Sequence, residues 1–201
     1  MILRPAIPED AAALALLWNP LIRDTSVTFN AAEKSVDALA VDIHTRTSAG
    51  QAFLLAEDGR GLLGFATYTQ FRPGTGYART LEHTIILHDR ARGQGTGRCL
   101  MEALMDHARN AGGHVLVACV SAENPGAIAF HERMGFARAG FLPEAGHKFG
   151  RFMDLVILHR QLSSVAGPTP HGPFHLLRIP LSRAEPRGRD DLMIQNRAET
   201  V

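Results

Sequence analysis

Glycine stands at three alternate positions, Gly93, Gly95 and Gly97, between Arg92 and Arg98. Residues of these types at this spacing could hold an anion. Glycine has no Cβ, so the backbone can turn tightly and come close to a ligand. Leu100, Met101, Leu104, Met105 and Ala108 follow at the spacing of one helical stripe. The first amides of a helix lack intrahelical partners, and its dipole makes that end positive. Ile85, Ile86 and Leu87, just upstream, form an apolar, largely β-branched run that reads as a strand. Strand, glycine-rich turn and helix start together make a seat for phosphate, and the two arginines add charge. A Walker loop needs Lys and then Ser or Thr after its last glycine, but Gly97 is followed by Arg98 and Cys99. The dinucleotide fingerprint Gly-x-Gly-x-x-Gly, counted from Gly93, meets Arg98 where its third glycine belongs. A plain glycine-rich turn before an ordinary helix stays open on these residues alone.

Positioning this seat requires a sheet with helices. Ile2–Pro5 reads as a short strand, and Pro8, Glu9 and Asp10 suit a helix start. The helix is expected over Ala11–Trp18, with Asn19-Pro20 ending it. Leu21–Asn30 shows no helical period, and Ser35 caps a second helix carrying Val36, Leu39, Ala40 and Ile43. Ala52–Ala56 and Leu62–Phe71 form a hairpin about Glu57–Gly61, and residues 71–77 form a loop. Gly112-Gly113 stops the long helix, and His114–Val120 is the next strand. Asn124-Pro125 starts a helix that runs to Met134. Ala137–Phe141 and Phe152–Arg160 are two final strands, joined by a loop containing Gly and Pro. The expected fold class is α/β, a mixed sheet with helices on both faces in one layer system over residues 1–162. Prolines at 168, 170, 173, 180 and 186 mark 163–201 as a poorly ordered extension.

A chain of 201 residues can bury one substantial core, and a formal charge of +1 suggests neither nucleic-acid nor other polyionic partners. No secretion signal and no membrane-length apolar run is read, so a cytoplasmic location is expected. Cys99 and Cys119 read as buried free thiols. The ten histidines are read as dispersed, without ligand spacing, and no metal is expected.

Arg92, Gly95 and Gly97 fit Arg-x-x-Gly-x-Gly, which resembles the pyrophosphate loop of the GCN5-related N-acetyltransferase (GNAT) superfamily. Further matches spread along residues 2–160: 22–29 (Ile-Arg-Asp-Thr-Ser-Val-Thr-Phe), Phe71-Arg72-Pro73, 82–85 (Glu-His-Thr-Ile), 92–97, Glu123-Asn124, 131–136 (His-Glu-Arg-Met-Gly-Phe) and 148–151 (Lys-Phe-Gly-Arg). Together they resemble the phosphinothricin acetyltransferase branch, with its relatives acting on methionine sulfone and sulfoximine. The resemblance implies the GNAT fold, acetyl-CoA as cosubstrate and a homodimer.

It also implies a site. The cofactor contacts would come from Ile85, Ile86 and Leu87 through main-chain groups along a splayed strand. They would also come from Arg92, Gly93, Gln94, Gly95, Thr96, Gly97 and Arg98, with Asn124 on the pantetheine arm and Arg133 at the nucleotide end. The Ile85 amide would meet the developing oxyanion. Glu82 is the candidate base, because an amine arrives as ammonium and must lose a proton before attack. His131 stands where many members carry Tyr, as a candidate acid or thiol partner, with an ordinary helix-face histidine open beside it. Arg72, Pro73, Gly74, Tyr77 and Arg79, with Thr28, Phe29 and Glu82, would hold a small amino-acid acceptor, an arginine pairing with its anionic group. Phe149 stands where some phosphinothricin enzymes carry histidine, which favours the methionine-analogue relatives. Two other readings compete: a protein or polyamine N-acetyltransferase, which would want an acidic acceptor groove, and a CoA-binding regulatory module without turnover.

Overall fold

The computed structural model describes residues 1–162, and the extension 163–201 lies outside them. The elements are β1 (Ile2–Pro5), α1 (Ala11–Asp24), α2 (Val36–Ser48), β2 (Phe53–Asp58), β3 (Gly61–Gln70), β4 (Thr80–Leu87), α3 (Thr96–Asn110), β5 (Val115–Ser121), α4 (Pro125–Arg133), β6 (Ala137–Lys148) and β7 (Arg151–Gln161). The sheet runs β1-β2-β3-β4-β5-β7-β6, and β4–β5 is its parallel pair. No helix among the described residues is long and apolar enough to cross a membrane.

Side-chain alternation sends neighbouring residues of each strand to opposite faces. On one face Leu81, Ile85, Leu116, Ala118 and Val120 pack with the α3 stripe of Leu100, Met101, Leu104, Met105 and Ala108. On the other, Phe53, Leu55, Phe65 and Ile86 pack with Leu14, Trp18 and Ile22 of α1 and with Leu39 and Ile43 of α2. Thus Glu82, Thr84 and Ile86 look toward α1, and His83, Ile85 and Leu87 look toward α3 and α4.

Two elements differ from the sequence reading. Helix α1 does not stop at Asn19-Pro20; Pro20 lies inside it. Proline costs the helix a backbone bond, but Pro20 is exposed and sits between the buried anchors Trp18 and Ile22. Asn19 adds a brace: its Nδ2 donates to the Lys34 carbonyl, and its Oδ1 accepts from the Lys34 amide, both at 2.9 Å.

No loop follows Phe141, because β6 continues to Lys148. The ladder to β7 shifts register between Leu142 and Gly146, and Glu144 adopts φ 53°. This bulge absorbs Pro143 on an edge strand, where a missing donor costs little. The Glu144 amide donates to Asp154 Oδ1 at 2.8 Å. The turn is only Phe149-Gly150, both left-handed at φ 55° and 72°.

Candidate active site

The β4–β5 pairing covers Thr80↔Val115, Leu81↔Leu116 and Glu82↔Val117, and then ends. Beyond Glu82 the strands diverge, and a cleft of about 730 Å³ opens between them. The hydrogen bonds to β3 fix which backbone groups face that gap. Thr80 accepts from the Phe71 amide and His88 donates to the Leu63 carbonyl, so the even residues of β4 bond to β3. In an antiparallel ladder the intervening residues then point the other way. Ile85 and Leu87 therefore direct their N–H and C=O groups into the splay. Ile86 directs its own to β3, which corrects its expected backbone contact with a cofactor; only its side chain lines the cleft.

The glycine-rich turn lies at the end of β4. Gly93 and Gly95 take φ 73° and 81°, and Gly95 is the N-cap of α3. Among the described residues no side chain caps that end. Gln94 turns back, its Nε2 donating to the Arg90 carbonyl at 2.7 Å. Gly97 packs closely: a Cβ there would lie 3.1 Å from Leu87 Cδ1 and 3.3 Å from Phe130 Cε2, so those side chains would have to give way. Arg92 and Gly93 line the cleft; Gln94, Gly95, Thr96, Gly97 and Arg98 do not. Thr96 is buried beneath the turn. Arg98 lies on a neighbouring depression of about 340 Å³ with Arg109, Arg133 and Arg160. Arg133 lines both hollows.

Glu82 lines the cleft on the α1-facing side, together with Cys119 from β5. Both cysteines are partly exposed rather than buried as read from sequence. Burial first, and the Glu82 carboxylate second, push the Cys119 thiol up to about 12, so it stays a protonated donor. Asn124 caps α4, its Oδ1 accepting from the Ala127 amide at 3.0 Å, and it lines the cleft too.

Of the readings left open for His131, its hydrogen bonds favour a structural histidine on the helix face over an acid. Its Nδ1 lies 2.7 Å from the Ala127 carbonyl and must carry the proton; its Nε2 lies 3.2 Å from His83 Nε2. The consistent assignment is His83 Nε2–H donating to His131 Nε2, with both rings neutral. Burial lowers both pKa values, that of His83 to about 3. An engaged neutral imidazole has no proton to offer a thiolate. His83 Nδ1 is buried without a protein partner.

The residues expected to hold an acceptor are brought together only in part. Thr28 and Phe29 line the cleft with Trp18, Val27, Asn30 and Leu155. Pro73, Gly74, Tyr77 and Arg79 are exposed and lie outside its wall. The reason lies at the foot of β4: the Arg79 carbonyl accepts from the amides of His114 and Val115, which ties this end of the loop to the closed part of the β4–β5 ladder. Arg72 is also outside the lining, yet its guanidinium acts on the Cys119 thiol, opposing the upward shift. Sequence reasoning missed Trp18, His83 and Cys119. Period-2 alternation from Glu82 would have marked His83 as its opposite-face neighbour. Among the described residues no group of three or more His, Cys, Asp or Glu could hold a metal ion. The reading of the histidines overlooks His171 and His175, four apart, which lie outside the described residues.

A family model described as Acetyltransferase (GNAT) family matches residues 18–136, which span the splay, the glycine-rich turn and α4. The chain belongs to the GNAT family. This GNAT chain is 34% identical to an L-methionine sulfoximine/L-methionine sulfone acetyltransferase of Pseudomonas aeruginosa, over 80% of this chain and 94% of that one. It is 32% identical to the L-amino acid N-acyltransferase MnaT of Escherichia coli, over 86% of this chain and all of that one. A GNAT superfamily phosphinothricin acetyltransferase from Sinorhizobium meliloti, solved with acetyl-CoA, superposes with a TM-score of 0.77 at 27% identity, covering 87% of this chain and 95% of that one.

Proposed function

We propose that this GNAT enzyme moves the acetyl group of acetyl-CoA to the primary amine of a small amino-acid acceptor in the cytoplasm, of the methionine sulfone, methionine sulfoximine or phosphinothricin kind. The observation that carries this reading is the placement of Glu82 at the last paired step of β4–β5, where the gap opens toward an uncapped helix end. The α3 amides and Arg92 are suited to a diphosphate. Ile85 and Leu87 offer main-chain groups to pantetheine in the manner of an added strand. Asn124 lies along the same path, and Arg133 leads to the neighbouring depression, lined by four arginines with Glu102 and Asp106, where Arg98 suits the nucleotide phosphate.

Glu82 takes the proton of the arriving ammonium, directly or through a water. Attack forms the C–N bond and breaks the C–S bond, and the CoA thiolate departs and takes, through solvent, the second proton shed by the nitrogen. The Ile85 N–H, directed into the gap, offsets charge on the carbonyl oxygen. Trp18, Val27, Phe29 and Leu155 give the acceptor an apolar wall. Arg72, near Cys119, is suited to the acceptor's acidic group. Glu82 is the single carboxylate lining the cleft among the described residues, which disfavours a polyamine or basic-peptide acceptor.

The enzyme is also proposed to be a homodimer. Phe141, Leu142, Phe149 and Phe152 are 55%, 48%, 55% and 61% exposed on one hairpin that includes the edge strand β6. Such a patch asks for cover. Light scattering should give twice the chain mass, and serine at Phe149 and Phe152 should give monomer; a wild-type monomer refutes the pairing.

The test of function is a panel of amines. Acetyl-CoA should raise the melting temperature, and free thiol should appear with L-methionine sulfone. Thermal protection with no thiol released by any amine would favour a regulatory CoA-binding module.

A further inference from the structure

The cleft wall opposite β4 comes from the segment 25–35, which has no helix or strand of its own yet supplies Val27, Thr28, Phe29 and Asn30. Its shape must therefore come from what holds it. Lys148 of β6, 5% exposed, donates from Nζ to the carbonyls of Thr25 at 2.7 Å and Thr28 at 3.0 Å. A buried ammonium is costly unless its protons find acceptors, and these two carbonyls are its acceptors. Burial lowers its pKa, and Asp24 opposes that shift. Two residue pairs along, the Phe29 ring lies on Gly146, where a Cβ would stand 2.3 Å from it. Beyond the turn, Arg151 grips Glu123 in a fork, and the Ser26 hydroxyl also bonds Glu123. The hairpin thus fastens the segment at three points. Neither Lys148 nor Gly146 lines the cleft itself.

We infer that Lys148 is a positioning residue for the amine acceptor: by pinning the carbonyls of Thr25 and Thr28 it sets the wall that the acceptor side chain meets. The inference rests on the proposed reaction. The carbonyls it fixes belong to the segment that supplies the proposed acceptor wall, and its hydrogen bonds reach no residue of the α3 turn, so it is expected to act on one substrate and not the other.

Lys148→Met keeps the aliphatic stem and removes the donors. The KM for L-methionine sulfone should rise about tenfold, the equivalent of one charge-assisted hydrogen bond. The KM for acetyl-CoA, kcat and thermal protection by acetyl-CoA should stay within about twofold, since no cofactor contact is touched. Lys148→Arg, which can still donate to both carbonyls, should recover most of the loss. If Lys148→Met does not fold, Gly146→Ala gives the same readout independently, because its methyl must move Phe29 off the wall. An unchanged acceptor KM in the folded variant, or equal rises in both KM values, overturns the inference while the reaction stands. A wild-type protein that acetylates no amine in the panel overturns the proposed reaction and this inference with it.

Discussion

Glu82 and Cys119 share one face of the sheet, on two strands that have just parted, and only the carboxylate can act as a base there. Glu82→Gln keeps the shape and removes the basicity. Its kcat/KM should fall by about 10²–10⁴, the usual span for a lost general base, with acetyl-CoA protection unchanged in a melting assay. Retained turnover would take Glu82 out of the mechanism. On the opposite face His83 makes a different demand. Its folded-state pKa, near 3, lies well below the unfolded 6.5. Between those values the unfolded chain binds more protons, so stability is fully present above pH 6.5 and drains away as the pH falls. His131, shifted the same way, adds to this. Urea denaturation should lose up to about 1.4 kcal/mol per pH unit below 6 on account of His83. His83→Phe should flatten that slope, and an unaltered slope would refute a neutral buried pair.

Helix α3 shows what sequence makes legible at the scale of an element. Its stripe, its glycine-rich start and the Gly112-Gly113 stop are local signals, and the structure follows all of them. Gly97 carries a tertiary constraint as well: it lets the first turn sit against Leu87 and Phe130. Gly97→Val should cost about 1–3 kcal/mol by overpacking and raise the KM for acetyl-CoA; unchanged denaturation midpoints would refute the close fit. Helix α1 and strand β6 were misjudged for the opposite reason. Proline is a strong local breaker, but Pro20 is outweighed by Trp18, Ile22 and the Asn19–Lys34 brace, and Pro143 by a bulge on an edge. What these residues meet lies elsewhere in the chain, Phe65 and Lys34 for α1 and the β7 ladder for β6, beyond any window of local pattern.

The same distinction holds for the whole molecule. Layer order and the two-faced sheet follow from alternation and helical stripes, and the cofactor side of the cleft follows from a compact run of residues. The proposed acceptor side is assembled from α1, the segment 25–35, β5 and β7, while Tyr77 and Arg79, near Glu82 in sequence, lie outside that lining. Trp18 and Leu155 share that wall at a distance no spacing reveals. The short β4–β5 ladder has a mechanical meaning as well. Four strands on one flank and three on the other are stitched by three residue pairs, so a guest that adds its own edge-to-edge bonds in the open part would act as mortar between two leaves. Cohesion and occupancy are then linked: a filled gap should leave the join between the two leaves firmer than an empty one.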